Sequence, residues 1–176
     1  MEVSRMSEVL MPGKILVIDL DKCTGCERCS LACSFKKNQN FSRTNSRIRV
    51  FTWKEAGDFI PATCLHCNPA PCQEACGVGA IHRNGKTGAV YIDYKTCINC
   101  KACMYACPYG AISIDSSGRV VKCDLCEGEP ACVDACAFNA LRYEKPVKAV
   151  DKLVVEYVKS LKAAGVSRGP SAAVRP

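Results

Sequence analysis

Residues 97–107 read Cys-Ile-Asn-Cys-Lys-Ala-Cys-Met-Tyr-Ala-Cys, and Pro108 follows directly. The cysteines are separated by two, two and three residues, and residues 23–33 repeat this spacing. Two further groups have gaps of two, four and three residues at 64–76 and of two, five and three at 123–136. The four groups contain all 16 cysteines of the 176-residue chain: Cys23, Cys26, Cys29 and Cys33; Cys64, Cys67, Cys72 and Cys76; Cys97, Cys100, Cys103 and Cys107; Cys123, Cys126, Cys132 and Cys136.

This spacing is typical of [4Fe–4S] clusters, which need one thiolate for each iron. Three closely spaced cysteines curl around one cluster, and in two-cluster ferredoxins the fourth cysteine ligates the other cluster. We therefore expect the groups to work in pairs that exchange their fourth cysteines. Zinc sites favour cysteine pairs separated by about a dozen or more residues, which leaves the short triplets unexplained. Since every group is complete, no iron is expected to stay open for substrate chemistry.

The charge of the chain agrees with bound clusters. The polypeptide has a formal charge of +7 at pH 7, which alone would favour nucleic acid or an anionic membrane. An oxidised cluster with four thiolates carries about −2, so four clusters bring the total to roughly −1. We therefore expect neither nucleic-acid binding nor membrane insertion. Residues 1–12 lack an apolar signal segment, which predicts a cytoplasmic protein with free thiols.

The sequence after the last cysteine is nearly the same in three groups. It is Gly-Val-Gly-Ala-Ile at residues 77–81, Pro-Tyr-Gly-Ala-Ile at 108–112 and Ala-Phe-Asn-Ala-Leu at 137–141, whereas Ser-Phe-Lys-Lys follows Cys33. Such repetition marks an internally duplicated architecture. Short apolar or alternating segments between the groups predict strands. These strands are 14–20; 48–53 with 58–62 through Gly57; 80–83 with 89–93 around the turn signal Asn84-Gly85; and 111–115 with 119–122 around residues 116–118.

These elements predict an α+β fold, a tandem bacterial-ferredoxin-like (double 2×[4Fe–4S]) domain of small antiparallel β-hairpins and short helices around clusters, plus a C-terminal helix. Apolar residues recur at helical spacing from Val150 to Leu161, and that helix either docks a partner or caps its own domain. The expected division is a flexible extension at 1–12, a double ferredoxin-like domain at 13–146, a docking helix at 147–165 and a flexible tail at 166–176. Within the domain, 13–59 with 115–146 would form half A and 60–114 half B.

Several motifs resemble one known family. They are Asp-Lys-Cys-Thr-Gly-Cys at residues 21–26, Cys-Leu-His-Cys-Asn-Pro-Ala-Pro-Cys at 64–72 and Lys-Cys-Asp-Leu-Cys at 122–126. Residues 14–143 resemble the four-cluster, double-ferredoxin electron-transfer subunits of bacterial oxidoreductases. The compact form is most similar to the small subunits of tungsten enzymes of the aldehyde oxidoreductase group, including class II benzoyl-coenzyme A reductases. One departure is that Gly77 and Ala137 stand where the family often has proline.

The resemblance implies how the cysteines are shared among four [4Fe–4S] clusters, because the family pairs group one with group four and group two with group three. The implied sets are Cys23, Cys26, Cys29 and Cys136 (cluster 1); Cys123, Cys126, Cys132 and Cys33 (cluster 2); Cys64, Cys67, Cys72 and Cys107 (cluster 3); and Cys97, Cys100, Cys103 and Cys76 (cluster 4).

The resemblance also implies a function without an active site in this chain. The chain would relay single electrons between a donor or acceptor protein and a large catalytic subunit of tungsten or molybdenum pterin type in an anaerobic oxidoreductase. The sequence contains no dinucleotide fingerprint and no P-loop. Three alternatives stay open: a free-standing polyferredoxin, a subunit of a hydrogenlyase or formate dehydrogenase, and a zinc-stabilised interaction module.

A few other residues lie close to the cysteines. His66 either packs in its loop or hydrogen-bonds near a cluster. Lys22, Lys101 and Lys122 are either surface lysines or cations that favour the reduced cluster. Three aromatic residues are expected to pack against clusters and exclude water: Tyr105, Tyr109 and Phe138.

Overall fold

The computed structural model describes residues 13–53, 55–146 and Lys159. Over these residues the fold consists of short helices and antiparallel strand pairs. The strands are β1 (Ile15–Ile18), β2 (Arg49–Trp53), β3 (Asp58–Ala62), β4 (Ile81–Arg83), β5 (Val90–Ile92), β6 (Ser113–Ile114), β7 (Val120–Val121) and β8 (Leu141–Glu144). The helices are α1 (Arg28–Asn38), α2 (Pro71–Glu74), α3 (Ala102–Tyr105) and α4 (Ala131–Asp134), with 3₁₀ turns at Leu20–Lys22 and Leu125–Gly128.

Three of the strand pairs are the hairpins expected from the sequence: β2–β3, β4–β5 and β6–β7. The fourth pair joins the two ends of the described domain, since β1 runs antiparallel to β8 with Ile15 opposite Glu144 and Ile18 opposite Leu141. The α+β character and the small antiparallel hairpins are therefore confirmed.

The duplication is visible in the backbone hydrogen bonds. The N–H of Asp19 donates to the carbonyl of Ala140 at 2.8 Å, and the N–H of Asp93 donates to that of Ala80 at 2.7 Å. Asp19 and Asp93 each stand four residues before the first cysteine of a group, and Ala140 and Ala80 each stand four residues after the last cysteine of another. The two contacts are thus equivalent by position, and each brings a fourth cysteine towards a different group.

The turn between β4 and β5 differs from the prediction. The Asn84-Gly85 signal favours a two-residue turn, but Arg83 pairs with Val90, so the loop is longer. The Asn84 side chain accepts hydrogen bonds from the N–H groups of Lys86 and Thr87, and Gly88 has the positive φ of 71°. An Asx turn therefore replaces the tight hairpin turn because the asparagine side chain folds back onto its own loop.

Helix length follows what comes after the last cysteine of each group. Gly79, Gly110 and Asn139 stand three residues after a fourth cysteine and all have positive φ. Each donates its N–H to the carbonyl of that cysteine, so the chain leaves the helix at once. Lys36 holds this position after Cys33, and α1 continues to Asn38. The loss of proline at Gly77 and Ala137 leaves the turn unchanged.

Two small cores hold the domain together. One contains Ile81, Val90, Ile112 and Val120 together with Cys72 and Cys103. The other contains Ile48 and Leu141 together with Cys29, Cys33 and Cys132. Because cysteines form so much of both cores, whatever binds their sulfurs is part of the interior.

Some expectations fall outside the described part. The predicted extension at 1–12, the helix at 147–165 (apart from Lys159) and the tail at 166–176 lie there. The boundaries of the two halves stay a prediction, and the β6–β7 hairpin spans the one expected between residues 114 and 115. Among the described residues, no helix is long and apolar enough to cross a bilayer.

Candidate metal centres

Three cavities are each lined by four cysteines, three from one group and one from another. Their volumes are about 340, 350 and 340 Å³, including open solvent at the mouth. The cysteines are Cys64, Cys67, Cys72 and Cys107 in cavity A; Cys33, Cys123, Cys126 and Cys132 in cavity B; and Cys76, Cys97, Cys100 and Cys103 in cavity C.

The remaining four cysteines also lie together. Burial raises the pKa of the Cys29 thiol to about 11, and the charges of Cys23, Cys26 and Cys136 are close enough to raise it further. The structure therefore brings the predicted cysteines into four quartets, and their membership is the one that the family resemblance implies.

Left-handed backbone conformations shape the cysteine loops. Gly25 and Asn99, each two residues after a first cysteine, have φ of 69° and 57°. Glu27 and Lys101, each directly after a second cysteine, have φ of 57° and 67°. Glycine and asparagine tolerate this region, whereas Glu27 and Lys101 cost about 1–2 kcal/mol each. The same departure in two loops indicates that it serves a common purpose, turning the sulfurs towards one point.

Backbone N–H groups donate to several of these sulfurs. Arg47 N lies 3.3 Å from Cys33 Sγ, Ala80 N lies 3.2 Å from Cys76 Sγ, and Ala111 N lies 3.4 Å from Cys107 Sγ. Each of the three accepting cysteines is the fourth of its group. Such bonds favour the thiolate over the neutral thiol and orient it before any metal binds.

The donor set fits iron–sulfur clusters. All sixteen cysteines are free of disulfides, and burial raises the pKa of Cys123 to about 12 and that of Cys132 further. Such thiols keep their protons unless a strong cation displaces them, as iron does on binding. Within the described ranges, no three His, Cys, Asp or Glu side chains come close enough to hold a single metal ion.

Cavity A is also lined by two polar side chains from different groups. His66 is only 6% exposed and has a left-handed φ of 51°, and Lys122 is only 4% exposed. Lys122 Nζ lies 2.8 Å from Cys64 Sγ. Burial, together with the cations Lys122 and Arg83, lowers the pKa of His66 to about 3. His66 is therefore a neutral imidazole, and Lys122 is a buried cation rather than a surface lysine.

The other residues singled out from the sequence lie as follows. Lys101 lines cavity C, and Lys22 forms an ion pair with Asp19 at 2.6 Å. Tyr109 lines cavity A but is 60% exposed. The expectation that Tyr105 and Phe138 are packed away from water is wrong, since they are 81% and 48% exposed. Tyr105 is the last residue of a four-residue helix whose buried side is occupied by Cys103.

Sequence reasoning missed the contacts that join group four to the rest of the molecule. Lys37 Nζ forms an ion pair with Asp124 Oδ2 at 2.6 Å, which ties α1 to the group-four loop. Asp124 also accepts a hydrogen bond from the N–H of Cys126. The second contact has a sequence signal, an aspartate two residues before a backbone donor, but nothing in the sequence shows that Lys37 reaches it.

The fold and the quartets define an iron–sulfur protein of ferredoxin type. Comparison with known families gives the same result, because residues 55–146 match the 4Fe-4S dicluster domain and residues 16–35 match the 4Fe-4S binding domain. The chain belongs to the 4Fe-4S dicluster domain family. It therefore binds [4Fe–4S] clusters and transfers electrons through them.

Curated relatives are subunits of oxidoreductases. The chain is 41% identical to the polyferredoxin-like subunit of aliphatic sulfonate oxidoreductase from Pyrococcus furiosus, over 74% of this chain and 76% of that protein. It is 33% identical to one of the chains of anaerobic dimethyl sulfoxide reductase from Haemophilus influenzae, over 79% and 75%. The active-site complex of benzoyl coenzyme A reductase with benzoyl-CoA is a similar solved structure. It covers 88% of this chain and 97% of that chain at 22% identity, and its TM-score of 0.44 is too low to support an argument.

Proposed function

We propose that this chain is the electron-transfer subunit of an anaerobic oxidoreductase complex. It would carry four [4Fe–4S] clusters, one in each cysteine quartet, and have no active site of its own. The two ferredoxin-like halves would each hold two clusters. Each cluster takes up or releases one electron, and the sixteen cysteines hold it in place and shield it from water.

The observation that carries the proposal is the composition of the quartets. Cavities A, B and C each combine the first three cysteines of one group with the fourth of another. This is the exchange known from two-cluster ferredoxins. A disulfide scaffold would need the sulfurs joined in pairs, whereas all sixteen cysteines are free.

Contacts between quartets give an order for the four clusters. Cys29 is close enough to Cys132 to influence its pKa, which links cluster 1 to cluster 2. Cys64 influences Cys123 in the same way and links cluster 3 to cluster 2. Cys72 influences Cys103 and links cluster 3 to cluster 4. Electrons would therefore pass along the series 1, 2, 3, 4 in one direction or the other.

The two ends of this series are the more accessible clusters. Cys26 in the first quartet and Cys100 in the fourth are exposed, whereas Cys64 and Cys132 in the inner quartets are buried. One exposed end would face the electron donor or acceptor protein, and the other would face the catalytic subunit. Ile98, beside Cys100, is 66% exposed and supplies apolar surface at that end.

The partner in this proposal is a large catalytic subunit of tungsten or molybdenum pterin type. Support comes from the relatives, which are named as subunits of a sulfonate oxidoreductase and a dimethyl sulfoxide reductase. We place the complex in the cytoplasm, where sixteen thiols stay reduced before clusters are inserted. Nucleic acid has no part in the proposal.

Two measurements test the proposal. Anaerobically purified chain is expected to contain about sixteen irons and sixteen sulfides, four for each cluster. Zinc instead of iron, or about eight irons, would overturn the four-cluster assignment. Affinity purification from the native host is expected to recover a stoichiometric large subunit that contains tungsten or molybdenum. Recovery of the chain as a monomer would favour the alternative of a free-standing polyferredoxin, and a molybdenum formate dehydrogenase would identify the other alternative.

A further inference from the structure

One nitrogen of His66 has its partner and the other has none. Val90 N–H donates to His66 Nδ1 at 2.9 Å. Because Nδ1 accepts, it carries no proton, and the proton of the neutral ring must be on Nε2. Within the described part of the structure, Nε2 is buried without a hydrogen-bond partner. A buried N–H group without an acceptor is unusual enough to need an explanation.

The position of the ring provides that explanation. His66 lines cavity A, between Cys64 and Cys67. The loop is held from outside the cavity, since the Arg83 guanidinium donates to the carbonyl oxygens of His66 and Cys67. The His66 peptide N–H also donates to Cys64 Sγ at 3.3 Å. The ring is thus fixed at both its backbone and Nδ1, which leaves Nε2–H to the contents of the cavity.

Lys122 approaches the same cavity from the other side of Val90. Its Nζ donates to the Val90 carbonyl at 2.6 Å and to Cys64 Sγ at 2.8 Å. The Val90 residue therefore positions both side chains, one through its N–H and the other through its C=O. It is 0% exposed and lies at the start of β5, so this arrangement is part of the core.

We propose that His66 Nε2–H and the Lys122 ammonium donate hydrogen bonds to the sulfurs of the cluster bound by Cys64, Cys67, Cys72 and Cys107, and that they selectively raise its reduction potential. The inference rests on the proposed function, because it requires a cluster in cavity A. Reduction adds one electron to the cluster and breaks no bond. Donors and a cation near the sulfurs stabilise the more negative, reduced form.

The effect is expected at one cluster because the neighbouring cavities are arranged differently. In cavity B the ammonium of Lys37 is paired with the Asp124 carboxylate. The Arg47 guanidinium that lines cavity B donates to Asn38 Oδ1 and to the Asn45 carbonyl. In cavity C the lining residue Lys101 is only partly buried. Lys122, by contrast, donates directly to a cysteine sulfur in a buried site.

The first experiment uses the native chain and needs no substitution. Chain labelled with ¹⁵N-histidine is loaded with iron, reduced in steps and examined by pulsed EPR. A histidine nitrogen coupled to one of the reduced clusters is expected. Full iron content without any histidine coupling overturns the role of His66 while leaving the proposed function intact, whereas absence of iron contradicts the proposed function itself.

The second experiment measures potentials of His66→Phe and Lys122→Met by EPR-monitored redox titration. Each variant is expected to lower the ratio of reduced to oxidised cluster about tenfold at a fixed ambient potential, which is about 59 mV for one electron. His82→Phe and Lys95→Met are the controls, because both residues are exposed. Equal shifts at all four clusters, or no shift in a fully loaded variant, contradict the inference. If a variant fails to load iron, the labelled native chain decides.

Discussion

Gly25 packs so closely against the ring of Phe59 that a Cβ at position 25 would lie 2.6 Å from Phe59 Cγ. The contact joins the first cysteine loop to strand β3, and Gly25 also has the left-handed φ of +69°. Gly25→Ala is therefore expected to destabilise the protein by about 2–4 kcal/mol, from backbone strain and from overpacking. The measurement is the guanidinium midpoint for loss of visible absorbance under anaerobic conditions.

Gly57→Ala is the matched control for that substitution. Gly57 has a similar φ of +72°, but no atom of the described residues lies within 4 Å of an added Cβ. Strain alone then predicts a smaller loss of about 1–2 kcal/mol. Equal losses in the two variants would show that the Phe59 contact is unimportant.

Asp115 organises the turn between β6 and β7. Its Oδ1 accepts hydrogen bonds from Ser117 N–H at 2.9 Å, from Ser117 Oγ at 2.6 Å and from Arg119 N–H at 3.0 Å. Burial raises the pKa of this carboxyl, but the hydrogen bonds outweigh it and the pKa is lowered. Asp115→Asn is expected to cost about 1–2 kcal/mol, since bonds to a charged acceptor are replaced by weaker ones.

The sign of that shift fixes the pH dependence. A lowered pKa means that the charged form stabilises the fold, and that this contribution is complete above the unfolded pKa of about 3.9 and is lost on acidification below it. The difference in cluster-loss rate between native chain and Asp115→Asn should therefore be constant from pH 8 to pH 5. A difference that grows steadily across this range would contradict the assignment. Asp93→Asn, at a more exposed turn with similar contacts, should have the smaller effect.

The fourth cysteines provide a test of how the quartets are shared. If Cys136 serves the cluster of group one, Cys136→Ser and Cys26→Ser should alter the same EPR signal. Cys33→Ser should alter a different one, because Cys33 lines cavity B with cysteines of group four. EPR spectra of the three reduced variants, with iron content measured in parallel, are the readout. The same altered signal in the Cys136 and Cys33 variants would favour groups that keep their own fourth cysteine.

Removal of the clusters should unfold the domain. Helices α2, α3 and α4 have four residues each, far below the length at which an isolated helix is stable in water. The cores that support them contain Cys72, Cys103 and Cys132. Anaerobic treatment with a chelator and an oxidant is expected to abolish near-UV circular dichroism and most far-UV signal. Native-like spectra in iron-free chain would mean that the apolar cores suffice.

Local rules account for the parts of the fold that the sequence predicts well. The hairpins follow from apolar segments separated by turn residues, and the ends of α2, α3 and α4 follow from Gly79, Gly110 and Asn139, which adopt positive φ readily. The length of α1 follows from the same rule, because Lys36 is no stop signal. The quartets followed from resemblance to a family, since spacing alone shows only that fourth cysteines are exchanged and not between which groups.

Contacts between distant segments could not be predicted. Lys122 looks like any lysine before a cysteine, and its burial against Cys64 depends on where β5 and β7 meet. The ion pair of Lys37 with Asp124 spans 87 positions. The six-residue loop after Arg83 depends on the Asn84 side chain competing with the tight turn. In each case the three-dimensional arrangement, rather than a local preference, selects the partner.

The pairing of β1 with β8 has a consequence for how the protein is made. Strand β1 leaves the ribosome early but has no partner until residue 141 has been synthesised. The middle of the polypeptide, from group two to group three, contains both members of its hairpin and three of the cysteines around each of its cavities well before that. Assembly would therefore proceed from the inside outwards, and a polypeptide truncated before β8 would be left with its opening strand unpaired.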